Sequence, residues 1–98
     1  MQDLHFEWDR IKSVRNRRTH GISFEEAETV FLDDQALFLD DPDHSNLVDR
    51  FILLGLSAAV RTLVVCHCYR ASGKVIRLIS ARKATAAERK KYIERWRR

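Results

Sequence analysis

Residues 77–92 read RLISARKATAAERKKY, and this stretch predicts the last two elements of the fold. It starts with apolar residues typical of a β-strand and ends in a basic run without Gly or Pro, which is typical of a helix. Thr85 and Glu88 have the spacing of a capping box, in which each side chain binds the other's backbone N–H, so the helix is predicted to start there. One interpretation of these basic residues after a strand is a site that binds a phosphodiester. The alternative is a basic tail exposed to solvent.

The N-terminal residues predict a strand followed by a helix. Apolar and polar residues alternate over residues 4–8, which indicates a short strand with one apolar face. Residues 10–19 lack Gly and Pro and predict a basic helix with Ile11 and Val14 along one side. Gly21 is predicted to end this helix, because glycine readily adopts the left-handed cap conformation.

The remainder of the chain predicts a second helix and an antiparallel meander. Ser23 and Glu26 form another capping box, with apolar residues at helical spacing behind it. Residues 40–46 have the composition of a loop, and residues 71–74 that of a hairpin turn. The remaining apolar runs predict strands at 36–39, 51–57, 62–69 and 75–80. The expected fold class is α+β: a small antiparallel sheet with two N-terminal helices on one face and a C-terminal basic helix.

Length and composition predict a single domain over residues 1–98, since 98 residues are too few for two independent cores. No apolar run approaches the roughly 20 residues that a bilayer requires, and no signal peptide is evident, so a cytoplasmic protein without membrane contact is expected. Cys66 and Cys68 are two residues apart on a strand, which disfavours a disulfide between them. No metal-ligand cluster or Gly-rich phosphate loop is present, and no cofactor is expected.

The charged residues are segregated along the chain. Residues 10–20 hold five basic side chains and no acid, whereas residues 21–49 hold nine acids and no Lys or Arg. From Arg82 onward eight basic residues face two acids. Such a distribution predicts a positive surface that attracts a polyanion, with chance clustering on a soluble surface as the alternative.

Alternation along the last strand sorts its side chains between two faces. Val75, Arg77 and Ile79 are predicted on one face, and Ile76, Leu78 and Ser80 on the other. A buried, unpaired arginine is costly, so Arg77 should mark the solvent side of the sheet, where Arg50 and Arg82 could join it. A salt bridge from Arg77 to a neighbouring strand, for instance to Asp49, is the competing interpretation.

The last helix and the end of the first one supply the other candidates. Arg82 and Lys83 precede a helix N-terminus, whose free N–H groups and dipole favour an anion. Glu88 is predicted either to cap the helix, to act as general base or to orient Arg82. Tyr92 either packs on the sheet or stacks on a nucleobase, and Trp96 is expected to pack. His20 is a candidate acid or base, or a capping histidine.

Four segments resemble one known family. They are WDRIKSVRNRRTHGISFEEAETVF, DPDHS, DRFILLGLS and IRLISARKATAAERKKY, and they cover the chain from about Phe6 to Tyr92. Together they resemble the BrnT family of bacterial type II toxins. Family members commonly have Lys before the His-Gly pair, where this chain has Thr19, and often Glu where it has Asp49. If that lysine contacts RNA, Arg18 is a possible substitute.

The resemblance implies a fold like that of the RelE and ParE toxins and an RNA-cutting activity that blocks translation. It also implies a BrnA-like antitoxin, expected to form a heterotetramer with the toxin and to carry promoter-DNA binding for both. We expect metal-independent cleavage that uses the RNA's own 2′-OH. The expected catalytic residues are Arg77, Arg82, Glu88 and His20, and the expected RNA-binding residues are Arg50, Lys83, Arg89, Tyr92, Lys12 and Arg18.

Two other functions remain open on the sequence. The basic face is also suited to hold an acidic antitoxin segment, in which case the protein is a non-catalytic corepressor module. An effect on DNA gyrase, similar to that of ParE toxins, is the third possibility.

Overall fold

The computed structural model describes residues 4–40 and 50–96. Every element predicted from the sequence within this part is present, in the predicted order. The elements are β1 (His5–Glu7), α1 (Arg10–His20), α2 (Phe24–Thr29), a 3₁₀ helix (Val30–Leu32), β2 (Leu37–Leu39), β3 (Phe51–Leu56), β4 (Thr62–Arg70), β5 (Val75–Lys83) and α3 (Ala86–Trp96). Apart from Asp40, the predicted loop at 40–46 lies outside the described residues, as do His44 and Asp49.

The five strands form one sheet in the order β1-β5-β4-β3-β2. Strands β2 to β5 form the predicted antiparallel meander. Strand β1 pairs with β5 in parallel, with Glu7 opposite Arg77, so the sheet is mixed and the expectation of a purely antiparallel sheet was wrong. The two N-terminal helices carry the chain from the β1 edge to the β2 edge. This crossover leaves the opening strand beside the last one and pointing the same way.

A β-bulge interrupts β5 and changes which side chains face the core. Cys66 pairs with Ser80 and His67 with Leu78, so Ile79 has no partner on β4. Before the bulge Ile76 and Leu78 are buried as predicted, but beyond it Ala81 is buried instead of Ser80. The simple alternation predicted for β5 therefore fails after Leu78, because one inserted residue shifts the phase.

Helices cover both faces of the sheet. On one face Phe24, Ala27 and Val30 pack with buried residues of β3, β4 and β5. On the other face Tyr92 of α3 packs with Leu54 and Val64. Only the second of the two N-terminal helices supplies core side chains.

Helix α1 is held to the sheet by a polar residue. Its single buried residue is Asn16, whereas Ile11 and Val14 remain exposed. The helix lies against β5 and also contacts α2. The predicted placement of both N-terminal helices on one face stays a prediction.

Local signals account for the helix ends. Asp9 caps α1 by accepting hydrogen bonds from the N–H groups of Ile11 and Lys12, and Gly21 ends it with φ +73°, as predicted. At α2 only half of the predicted capping box forms. Ser23 accepts from the N–H of Glu26, while the Glu26 carboxylate binds Ser57 and Arg61.

Candidate functional site

The bulge at Ile79 places Arg77 and Arg82 on the same face of the sheet. Arg77 lies opposite Cys68 and Arg82 opposite Val64, and these β4 residues point to one side because they are four residues apart. Without the inserted residue the two arginines, five positions apart, would have pointed to opposite sides. Arg50 directly precedes β3, and by alternation it belongs to the face of Ile52 and Leu54, which is also the face of Val64.

Arg82 is held in place by the first turn of α3. Its Nη1 and Nη2 donate to the two carboxylate oxygens of Glu88 at 2.8 and 2.9 Å, and Nη1 also donates to the carbonyl oxygen of Lys83 at 3.2 Å. Glu88 completes the predicted capping box as well, since Oε1 accepts from the Thr85 N–H at 2.8 Å and the Glu88 N–H donates to Thr85 Oγ1 at 3.2 Å. Glu88 therefore caps α3 and orients Arg82 at the same time.

The chemistry of Glu88 follows from this pairing. Its hydrogen bonds to Arg82, and then those with Thr85, lower the pKa of Glu88 to about 2 against an ordinary value of 4.5. A carboxylate with so low a pKa is a weak base near neutral pH. Of the roles expected for Glu88, orientation of Arg82 and helix capping fit the structure better than proton transfer.

Arg77 also has a carboxylate partner, on the neighbouring strand β1, while Asp49 lies outside the described residues. Its Nη1 donates to Glu7 Oε2 at 2.6 Å, and the more exposed Arg70 shares that oxygen at 3.3 Å. The hydrogen bond from Arg77 is the main reason that the pKa of Glu7 is lowered. The parallel register places Glu7 beside Arg77, so this ion pair depends on a pairing that the sequence analysis did not predict.

A groove, which we name the α1–β5 groove, runs between α1 and the bulged part of β5. Its volume is about 300 Å³, and its lining is Lys12, Arg15, Asn16, Thr19, His20, Ile79 and Ser80. Ser80 lies between Arg77 and Arg82 on their face of the sheet, so one residue of the groove belongs to the face that carries both arginines. Among residues 4–40 and 50–96, no carboxylate lies within salt-bridge distance of Lys12 or Arg15.

Other predicted site residues lie elsewhere. Lys83 and Arg89 are exposed near the start of α3, and Arg89 Nη1 donates to the carbonyl oxygen of Ala84 at 3.0 Å. Arg18 lies on the other side of α1, against a second cavity.

Tyr92 is a core residue rather than a stacking platform. Its side chain is 4% exposed, and its hydroxyl donates to Asp33 Oδ2 at 2.5 Å. Burial, and next the bond to Asp33, raises the pKa of Tyr92 to about 12. Both facts disfavour base stacking and proton donation by Tyr92. Trp96, expected to pack inside, is 59% exposed with its ring edge against Tyr92.

The remaining titratable residues form no second centre in the described part of the chain. His67 is fully buried among aromatic rings, and burial lowers its pKa. Cys66 and Cys68 are half-buried, as expected, and are not joined by a disulfide. Within the described ranges no three His, Cys, Asp or Glu residues are grouped so that they could hold a metal ion. No helix there is long and apolar enough to cross a membrane.

Comparison with known proteins shows the family to which the chain belongs. The family model described as "Ribonuclease toxin, BrnT, of type II toxin-antitoxin system" matches residues 8–88. The chain belongs to the BrnT family. The matched segment includes the whole α1–β5 groove together with Arg77, Arg82 and Glu88.

A solved BrnT toxin has the same fold. The crystal structure of the Brucella abortus ribonuclease toxin BrnT superposes with a TM-score of 0.65 at 20% sequence identity, covering 85% of this chain and 99% of that one. No curated protein sequence matches the chain.

The structure also locates the position at which this chain departs from the usual BrnT pattern. Thr19 lines the α1–β5 groove beside His20, whereas Arg18 does not. Arg15, about one helical turn before Thr19, does line the groove, so Arg15 rather than Arg18 can supply the positive charge that the resemblance led us to expect at position 19.

Sequence reasoning missed Arg15, Asn16 and Ser80 as groove residues. The helical spacing of Lys12, Arg15 and Thr19 was a usable signal, because residues three or four apart share one side of a helix. Ser80 had no such signal, since its position depends on the bulge.

Proposed function

We propose that this BrnT chain is an endoribonuclease toxin that cleaves RNA without a metal ion and thereby blocks translation. The observation that carries the proposal is the bulge at Ile79, which brings Arg77 and Arg82 to one face beside a groove rich in basic residues. RNA cleavage by attack of its 2′-OH needs a proton acceptor, stabilisation of the phosphorane charge and a proton donor. The groove and the arginine face offer groups for each task.

In this mechanism the 2′-oxygen forms a bond to phosphorus while the bond from phosphorus to the 5′-oxygen breaks. His20 accepts the proton from the 2′-OH, and the ammonium group of Lys12 protonates the departing 5′-oxygen. The products are a 2′,3′-cyclic phosphate and a free 5′-OH. Both groups line the same groove, which supports assigning the two proton transfers to them.

Arg77 and Arg82 stabilise the negative charge of the phosphorane. A guanidinium has five N–H donors, and the three hydrogen bonds of Arg82 to Glu88 and Lys83 leave others for a phosphate oxygen. The two bonds to Glu88 fix the plane of the guanidinium, which lowers the entropy cost of binding the phosphate. Arg15, Arg50, Lys83 and Arg89 contact the RNA backbone on either side of the cleaved bond.

RNA cleavage by purified protein tests this assignment. The double variant Arg77→Ala/Arg82→Ala is expected to lose about 2–4 orders of magnitude in cleavage rate, as for the loss of charge-stabilising groups in other enzymes. Arg70→Ala is the matched control, because Arg70 also binds Glu7 but does not line the groove. Cleavage by the double variant at the rate of the control would exclude both arginines from catalysis.

A second candidate is a non-catalytic module that binds the antitoxin and assists repression. The pairing of both arginines with carboxylates favours it, since each charge is already partly neutralised. Inducing the toxin without its antitoxin separates the two, because only a nuclease arrests growth and leaves 5′-OH ends on cellular RNA.

The family implies an antitoxin partner. We propose that this partner is BrnA-like, that two copies of each chain form a heterotetramer, and that promoter DNA is contacted through the antitoxin alone. The mass of the purified complex and DNA binding by each component separately test these points.

A further inference from the structure

Helix α1 has a second exposed side, which we name the outer face of α1. It comprises Arg10, Ile11, Val14, Arg15 and Arg18, whose spacing makes one continuous stripe along the helix. Ile11 is 69% and Val14 55% exposed. The described lining of a cavity of about 370 Å³ comes from these five residues. Apolar side chains at adjacent turns, with arginines around them, are unusual on a solvent-exposed face of a helix.

The outer face differs in chemistry from the α1–β5 groove. The groove combines basic residues with Asn16, Thr19, His20 and Ser80, which suit sugar hydroxyls and phosphates. The outer face combines Arg10 and Arg18 with two aliphatic side chains and has no aromatic ring on which a base could stack. It therefore suits a peptide with apolar residues in the middle and acids at its borders, as amphipathic helices present to grooves.

We propose that the outer face of α1 is the surface on which the antitoxin places an acidic, amphipathic segment. The choice of an antitoxin as partner rests on the proposed function. Charge complementarity supports it, because Arg10, Arg15 and Arg18 are exposed, and within the described ranges none has a carboxylate at salt-bridge distance. Ile11 and Val14 supply the apolar contact, and the arginines orient the acidic segment on it.

This location also explains how the antitoxin neutralises the toxin. Arg15 lines both the outer face and the α1–β5 groove. An antitoxin carboxylate that binds Arg15 from the outer side withdraws its guanidinium from the groove. The antitoxin then blocks RNA binding without contacting Arg77 or Arg82.

Two variant pairs, which leave the RNA groove unchanged, test the proposal. Ile11→Ser/Val14→Ser removes the apolar contact and keeps every charge, and Arg10→Glu/Arg18→Glu reverses two charges and keeps the apolar contact. Ile93→Ser is the matched control, because Ile93 is 51% exposed on another helix. All of these side chains are exposed, so the variants should fold, and circular dichroism checks this.

The measurement is the dissociation constant for the purified antitoxin encoded with the toxin gene. Both pairs are expected to bind about tenfold more weakly than wild type, as for central interface residues, and the control as tightly as wild type. RNA cleavage by Ile11→Ser/Val14→Ser should match that of wild type. Wild-type affinity for the antitoxin in both variant pairs would overturn the proposal. Loss of RNA cleavage with antitoxin binding intact would also overturn it, because the outer face would then be a surface that binds RNA. If wild type fails to cleave RNA while the pairs bind weakly, the nuclease assignment fails and the outer face stands.

Discussion

The side-chain amide of Asn16 binds the backbone of Ala81 as a neighbouring strand would. Its Oδ1 accepts from the Ala81 N–H at 3.0 Å, and its Nδ2 donates to the Ala81 carbonyl oxygen at 2.9 Å. Nδ2 also donates to the carbonyl oxygen of Ile22 at 2.9 Å. One buried residue thus joins α1, the turn before α2 and the part of β5 just after the bulge.

Asn16→Ala is expected to destabilise the protein by about 2–4 kcal/mol, because three buried backbone groups lose their hydrogen-bond partner and each unsatisfied group costs about 1–3 kcal/mol before relaxation. Urea denaturation measures the loss. Arg17→Ala is the control, since Arg17 is exposed on the same helix and should change stability by less than about 0.5 kcal/mol. Equal stability of the two variants would show that Asn16 does not hold α1 to the sheet.

Glu88→Gln should change how stability depends on pH. The folded-state pKa of Glu88 is about 2, below its ordinary value of 4.5, so the carboxylate stabilises the fold above pH 4.5 and this contribution is lost as pH falls toward 2. The stability difference between wild type and Glu88→Gln should therefore shrink between these pH values. Denaturation at several pH values measures it, with Glu94→Gln on the same helix as the control. A difference that stays constant with pH would contradict the Arg82–Glu88 pair.

Tyr92→Phe separates packing from catalysis. The variant keeps the buried ring and loses the 2.5 Å hydrogen bond to Asp33, so stability should fall by about 1.5–3 kcal/mol, as for a bond to a charged group. RNA cleavage at a temperature where both proteins are folded should be unchanged, because the hydroxyl is turned into the core. A large drop in cleavage rate with little loss of stability would give Tyr92 a catalytic role after all.

Val60→Gly is expected to stabilise the protein. Val60 lies in the turn between β3 and β4 with φ +61°, a conformation that a β-branched residue adopts only under strain, and its side chain is 75% exposed. Relief of about 1–3 kcal/mol of strain should exceed the entropy cost of glycine, which is about 0.5–1 kcal/mol. Thermal unfolding should show a higher melting temperature, and a lower one would mean that the turn holds Val60 without strain.

The order of the elements was predictable because each one carries its own local signal. Gly21 ends α1, Thr85 and Glu88 start α3, and alternation marks β4. The position of β1 was not predictable, since three residues contain no information about whether they pair with β5 in parallel or with another strand.

The candidate site was only partly predictable, because its geometry depends on long-range contacts. Arg77 and Arg82 were identified from charge and position. The bulge that places them on one face was not predicted, because no glycine in this part of β5 indicates a bulge in the sequence. Trp96 was misjudged for a related reason, whereas the packing interpretation of Tyr92 agrees with its burial. They are one helical turn apart, and only the packed sheet decides that the first is buried and the second exposed.

The parallel pair of β1 and β5 sets the moment at which the groove and the two aligned arginines can form during synthesis of the chain. His5–Glu7 pairs with Val75–Arg77, so this pairing cannot form until β5 has been translated. The contact of Asn16 with Ala81 likewise requires residue 81 to be translated first. Such distant pairings form late, because the intervening chain must first be closed into a loop. A nascent chain translated only as far as its middle therefore has neither the α1–β5 groove nor the aligned arginines.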